Sequence, residues 1–237
     1  KWMKNRLEAI GQRSISALVD ITNYIMFDLS RPLHAYDAEK IKGEFLTIRF
    51  AKDKEQITAL NEKTYELSYD DLVISDLLGP DDLAGIMGGE RTGVSNETRE
   101  MLLEIAVFDP INVSSTGRRL NILSDARYRF ERGLDETSPI WVHDYVTELI
   151  LSCCGGEASF IDFDGSGTNW ERQILFNPNK VSSLSGLTIS DEKIKEILNN
   201  LGFKINYKND LWKVSPPPWR GDIDGSADLV EEVTRIY

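Results

Sequence analysis

A chain of 237 residues with 41% hydrophobic content is long enough to bury a sizeable core and to hold more than one domain, which excludes a disordered polypeptide. Its formal charge of −12 opposes autonomous capture of nucleic acid, because neutralising phosphates needs clustered Lys and Arg; any RNA contact must be local or assisted by another chain. No run of about 18 apolar residues occurs, and the start Lys1-Trp2-Met3-Lys4-Asn5-Arg6 is too polar for a secretory signal, so the chain reads as cytoplasmic with no membrane span.

The absence of an initiator methionine, and an end at Ile236-Tyr237 inside a helical pattern, read as an excised segment. The first helix is predicted after Ser14, where Ile15, Leu18, Val19 and Thr22 recur at helical spacing before a break at Ser30-Arg31-Pro32; Arg13 sits at its N-terminal edge. From Glu44 to Ile74 the pattern changes to short strands, including Phe45–Phe50 and Leu72–Ile74. A glycine-dense segment, Leu83–Glu90, follows, and then Met101–Phe108 reads as one buried strand carrying a single carboxylate, Glu104. Asp109-Pro110 and Ser138-Pro139 each give a helix start, and the second helix runs to a stop at Gly155-Gly156. Asp164–Asn169 is small, polar and aperiodic, as a linker is.

Beyond it, Ser190 caps a helix with an apolar stripe of Ile194, Ile197, Leu198 and Leu201, closed by Gly202 and stapled by Ile189. Phe203–Tyr207 and Leu211–Val214 flank Lys208-Asn209-Asp210 as a hairpin, and a last helix starts at Asp228. The fold class is therefore α+β: a mixed-sheet domain with packed helices over residues 1–168, then a small winged-helix-like α/β module over residues 169–237.

Several chemistries lack their residues. Neither a P-loop ending nor a Gly-x-Gly-x-x-Gly after a strand is present, and no Gly-x-Ser-x-Gly names a serine nucleophile, so a hydrolytic reading uses water as the attacking group. The two cysteines, Cys153 and Cys154, are adjacent and cannot form an ordinary disulfide; with only His34 and His143 beside them, a Cys/His zinc site is disfavoured and carboxylate-bound magnesium stays open. His34 is a general base, a hydrogen-bond donor or a structural histidine. Glu104 in an apolar strand must be paired, exposed, or turned to a polar cavity, since burying it alone costs several kcal/mol. Gly85, Gly88 and Gly89 either form turns or admit a close ligand.

Four strings occur in order: Arg13-Ser14-Ile15 with Leu18–Tyr24, Arg31–Asp37, Gly85–Glu90 and Arg129–Asp135. Together, and with Asp222-Ile223 and Asp228–Val233, they resemble the tRNA-editing region of the bacterial phenylalanyl-tRNA synthetase beta subunit over nearly the whole chain. The resemblance implies hydrolysis of tyrosyl-tRNA(Phe) made in error, a double-sieve solution. It implies that Glu104 selects the phenol, that His34 places the water or ester, and that Arg13 holds the tRNA terminus. Ser124 and Ala126 match a Thr-x-Ala segment, and Gly88 a pocket glycine. The pattern departs at Arg127-Tyr128, where bacterial relatives commonly show Ser-His.

For the second domain the resemblance implies magnesium on Asp222, Asp228, Glu231 and Glu232, the last three at i, i+3 and i+4 on one helix face; the alternative is a solvated acidic face with Glu231 paired to Arg235. The implied partners are the acceptor end of tRNA(Phe) and an alpha subunit, in an assembly of two alpha and two beta chains. Aminoacylation is expected to reside in that alpha subunit. A non-catalytic module for tRNA positioning or assembly is the competing function, and a DNA-binding winged helix is disfavoured by its acidic recognition region.

Overall fold

The computed structural model describes residues 1–165, 170–208 and 211–237; most of the expected linker, the expected boundary at 168/169 and the hairpin turn Asn209-Asp210 lie outside the described residues. In chain order the elements are α1 (Trp2–Ala9), α2 (Ala17–Leu29), β1 (His34–Asp37), β2 (Thr47–Phe50), β3 (Gln56–Thr58), β4 (Thr64–Glu66), β5 (Leu72–Ser75), β6 (Pro80–Leu83), β7 (Met87–Gly88) and β8 (Met101–Glu104). There follow α3 (Pro110–Arg119), α4 (Asp125–Phe130), α5 (Ser138–Cys154), β9 (Ile174–Phe176), α6 (Asn179–Ser185), α7 (Asp191–Asn200), β10 (Lys204–Lys208), β11 (Leu211–Ser215) and α8 (Ser226–Ile236). The α+β class expected from the sequence is borne out, and every pairing between these strands is antiparallel.

Two units form: Lys1–Leu134 with Ser138–Asp162, and Asp135–Thr137 with Phe163–Tyr237. In the first, α1, α2 and α5 close around Met3, Leu7, Ile21, Ile25, Val142 and Val146, the last two one helical turn apart on the buried face of α5. The α2 cap is Ser16, whose Oγ accepts from the Val19 amide at 3.4 Å; Ser14 instead donates to Asp20 Oδ2 at 2.6 Å. The helix therefore starts later than Ser14 predicts. Helix α1 has no counterpart in the sequence reading.

A second core, built from Tyr36, Val73, Ile74, Leu83, Ile86, Phe108, Val113, Ile122 and Phe130, holds the four-stranded sheet β2-β5-β6-β7 against α3 and α4. Asp109 caps α3 through Asn112 N at 2.7 Å, with Pro110 at the first helical position as expected. Buried Asp76 and Asp81 clamp the β5–β6 turn through Arg91, which forks onto Asp76 at 2.8 and 2.7 Å and reaches Asp81 at 2.5 Å. Burial alone would raise Asp76, but Arg91 and the Lys42 and Leu78 amides outweigh it and hold its pKa at about 2.

The expected strand Met101–Phe108 is cut short. Only Met101–Glu104 pairs, with β1, and it is half-buried rather than enclosed. Past Glu104 the chain leaves the ribbon: the Ala106 carbonyl accepts from Arg31 Nη1 at 3.0 Å, and Ile105 packs on the helical core instead.

The second unit is a β10-β11-β9 sheet with α6, α7 and α8 around Phe176, Val181, Ile194, Leu198, Trp212, Val214, Leu229 and Val233. Ser190 caps α7 through Lys193 N at 3.3 Å, Gly202 follows the helix at φ +87°, and Ile189 packs on the same core, as the sequence predicts. Helix α8 begins at Ser226, earlier than Asp228. Asp228 Oδ2 accepts from the Gly225 and Asp224 amides at 2.8 and 2.9 Å, so it closes the helix start rather than opening it.

Candidate active site

The ribbon β1–β8 sets the register His34↔Glu104 and Tyr36↔Leu102. Directly opposed residues of an antiparallel pair project to one face, and alternation along β1 adds Tyr36 to that face. His34 and Glu104, far apart in sequence, are thereby brought together by backbone pairing alone. The His34 and Tyr36 rings meet edge-on at 4.4 Å between centroids. Behind them lies Asp82 of β6: the Tyr36 hydroxyl donates to its Oδ2 at 3.4 Å, and His34 Nδ1 is 3.9 Å from the same atom. Asp82 is itself in register with Gly88 of β7.

Gly88 is required by close approach. A Cβ there would lie 2.3 Å from His34 Cε1 and 2.9 Å from Nε2, so only a hydrogen fits between β7 and the imidazole.

Burial controls the charges. It lowers His34 to about pKa 4, so the ring is neutral at pH 7, and its buried Nε2 has no hydrogen-bond partner. Burial pushes Glu104 up to about 7, opposed by the Arg31 guanidinium. Burial also raises Asp82 well above the usual carboxylate range, with the charges of Glu104 and Asp81 adding to it against the Tyr36 hydrogen bond. The Tyr36 hydroxyl is raised by burial and by Asp82, Glu104 and Asp81. Burial pushes His34 toward neutrality and Asp82 toward its protonated form, which weakens any ion pairing across their 3.9 Å separation. Among the described residues Glu104 forms no hydrogen bond and no ion pair.

Ser124 caps α4, accepting from Arg127 N at 3.0 Å, while its hydroxyl donates to the Ile86 carbonyl at 2.6 Å. It thus anchors the glycine segment two residues before Gly88. Ala126 is half-buried in α4, and Arg13 is exposed in the loop before α2; neither has a polar side-chain contact to His34 or Glu104. At the position of the expected departure, Arg127 is buried, donating to the Ile122 carbonyl at 2.6 Å and to Glu131 at 3.0 Å. It lies against Gly117 of α3, where a Cβ would come within 2.3 Å of its Nε. Two surface hollows of about 360 Å³ run along α3 and α4, one lined by Ser114, Ser115, Arg118 and Glu131, the other by Ser124, Asp125, Arg127 and Glu131. Of the residues expected at the site, these two hollows reach Ser124.

Sequence reasoning missed Tyr36, Asp82 and Arg31. Tyr36 stands two residues from His34, hence on its face of a strand, and Asp81-Asp82 puts two acids in one short strand; both signals were present. Arg31, 1% exposed, donates to Ser138 Oγ at 2.9 Å and supplies the positive field at Glu104, a link across the chain that no local pattern reveals.

A B3/4 domain family model matches residues 1–155, and a tRNA synthetase B5 domain model matches residues 174–237. The chain belongs to the B3/4 domain family. It is 49% identical over 236 residues to a phenylalanine–tRNA ligase beta subunit of Paramagnetospirillum magneticum and 47% identical over 237 residues to that of Brucella abortus, covering 100% of this chain in each case. The resemblance to this subunit drawn from the motifs is borne out. The chain spans 29% of the length of these relatives. An N-terminal fragment of the phenylalanyl-tRNA synthetase beta subunit from Pyrococcus horikoshii overlays with a TM-score of 0.47 at 17% identity, over 93% of this chain and 66% of that one, a likeness too distant to bear on the site. His34, Gly88, Glu104, Ser124 and Ala126 all fall within the B3/4 match, as do Tyr36 and Asp82.

The B5 domain holds the four carboxylates expected to bind magnesium, and the donors of Asp222, Asp228 and Glu232 are committed elsewhere. Asp222 takes a two-pronged contact from Arg220 at 2.8 and 2.6 Å. Glu232 is buried between Arg220 at 2.7 Å and Arg235 at 2.6 Å, and both acids are held below their usual pKa, Arg220 being the first cause in each. Asp228 serves backbone amides, and Glu231 lies on the exposed face, not paired with Arg235 as the alternative reading expected. No three such side chains converge as metal ligands among the described residues. In this arrangement the donors do not fit a magnesium ion, because the Arg220 guanidinium already supplies the positive charge.

Proposed function

We propose that this chain carries the editing pocket of a phenylalanine–tRNA ligase beta subunit and hydrolyses tyrosine from wrongly charged tRNA(Phe) during protein synthesis. The observation that carries this reading is Glu104: a half-buried carboxyl without a protein partner, set opposite a neutral histidine. A tyrosine side chain offers the hydroxyl such a group needs. Phenylalanine leaves the same carboxyl desolvated and unpaired, and a site built for a hydroxyl rejects the analogue lacking it far more strongly than a greasy pocket rejects an extra methylene.

His34 is too weak a base at about pKa 4 to draw its power from basicity. Its unpartnered Nε2 instead orients the attacking water or the ester carbonyl, so placement supplies the acceleration and no covalent intermediate forms. Tyrosine leaves as the free amino acid, and the tRNA recovers its terminal hydroxyl. Arg13, Ser124, Gly88 and Ala126 are assigned to holding the acceptor end and shaping the pocket. With −12 net charge and 29% of its relatives' length, the chain works beside further tRNA-binding surface and an alpha subunit that performs aminoacylation.

Release of radiolabelled tyrosine from tyrosyl-tRNA(Phe) tests this directly. The wild type exceeds the spontaneous rate, and His34→Ala lowers the enzymatic rate by about 10²-fold. Spontaneous rates in both samples would instead support a tRNA-positioning or assembly module.

A further inference from the structure

Asp82 is 5% exposed and sits where no cation can neutralise it. Arg91 binds its neighbour Asp81, and adjacent strand residues point to opposite faces, so that guanidinium is out of reach. The titratable groups facing Asp82 are His34 and Tyr36 from β1 and Glu104 from β8, and the charge of Asp81 acts on it from the other face of its own strand. Two are acids and one is a phenol. Its nearest polar contacts, Tyr36 Oη at 3.4 Å and His34 Nδ1 at 3.9 Å, both converge on the single oxygen Oδ2.

We infer that Asp82 is a positioning residue of this pocket, hydrogen-bonded to Tyr36 and packed behind the His34 ring as an uncharged carboxylic acid rather than as a carboxylate. The inference rests on the reading of His34 as a pocket residue. Three walls confine the imidazole: the Gly88 backbone beneath Cε1, the Tyr36 ring at its edge, and Asp82 beyond Nδ1. Of the three, only Asp82 meets a ring nitrogen with a polar atom. An uncharged acid 3.9 Å from Nδ1 is beyond hydrogen-bond range, walls that side of the ring and leaves the imidazole neutral. An anion there would instead draw a second proton onto the ring. The same neutrality keeps two negative charges from sharing the pocket when Glu104 ionises.

Two variants and two readouts test it. The chain has two histidines, so ring resonances of His34 and His143 are separable by NMR through the variant His143→Gln. A neutral Asp82 predicts that Asp82→Asn moves the His34 titration midpoint by less than about half a unit, whereas loss of a nearby carboxylate would lower it by about one unit or more. In tyrosyl-tRNA deacylation, Asp82→Ala is expected to cut kcat by about 10- to 100-fold with little change in KM, and Asp82→Asn to recover most of that loss. Wild-type kinetics in Asp82→Ala, an Asn variant as impaired as the Ala variant, or a midpoint shift of a full unit would each overturn the assignment. The NMR arm decides even if Asp82→Ala fails to fold. It also decides if the wild type proves inactive, an outcome that defeats the hydrolytic reading alone.

Discussion

At pH 8, Glu104→Gln stabilises the chain by about 2 kcal/mol against urea, and at pH 4.5 the gain falls to near zero. The sign follows from the raised pKa. Glu104 titrates near 7 when folded and near its model value of 4.5 when unfolded, so between those values the native state holds the extra proton. Its favourable contribution is complete below about pH 4.5 and is lost as pH rises through 7, where a half-buried, unpaired carboxylate must form. Glutamine never pays that cost. His34 has the opposite slope: its folded pKa of about 4 lies below the unfolded 6.5, so its contribution is present above 6.5 and is lost as pH falls through 4. The two slopes oppose each other between about pH 4.5 and 6.5, and the glutamine variant removes the Glu104 slope from that window. Asp82, raised well above the carboxylate range, adds a further loss at higher pH that weakens once the Glu104 charge is removed. A gain of equal size at both pH values would mean that Glu104 is not desolvated. A residue whose removal stabilises the fold is retained for what it binds, which is why this prediction bears on function.

The second large effect is steric. Gly88→Ala places a methyl group 2.3 Å from His34 Cε1, and Tyr36 at the ring's edge and Asp82 behind it limit the ring's retreat. Either β7 separates from β6 or the imidazole turns away from Glu104. A loss of about 10²-fold or more in tyrosyl-tRNA deacylation is expected, with destabilisation of about 1–3 kcal/mol from overpacking. A double-mutant cycle isolates the cause: in a His34→Ala background the same alanine costs little stability, because the atoms it strikes are gone. Equal destabilisation in both backgrounds would show that Gly88 serves backbone geometry rather than the ring.

Much of this site was legible because its residues announce themselves locally. A carboxylate among Met101, Leu102, Leu103 and Ile105 breaks the apolar pattern, and the caps at Asp109 and Ser190 are written as residue types at fixed offsets. What stayed hidden was set by pairing. Glu104 faces His34 because β8 runs antiparallel to β1 in one register out of several, and nothing in either string selects it. The strand reading extends to Phe108 because apolar residues continue past the pairing with β1, but Ile105 packs on the helical core, Ala106 and Phe108 on the sheet core, and Val107 is exposed. Helix α1 was missed because only Met3 and Leu7 bury, too few positions to write a period. In the B5 domain, the spacing of Asp228, Glu231 and Glu232 suits a metal, but Arg220 pairs with Glu232 and Asp222, and Asp228 turns to the amides at the helix start.

The ratio of tyrosyl-tRNA(Phe) to phenylalanyl-tRNA(Phe) deacylation rates, measured for the wild type and for Glu104→Ala under identical conditions, weighs the phenol-recognising role of Glu104. The wild type should favour the tyrosyl ester by about 10²-fold or more, and the alanine variant should bring the two rates close together. An undiminished ratio in the variant would contradict the account, since the pocket would then be reading the substrate by some other group.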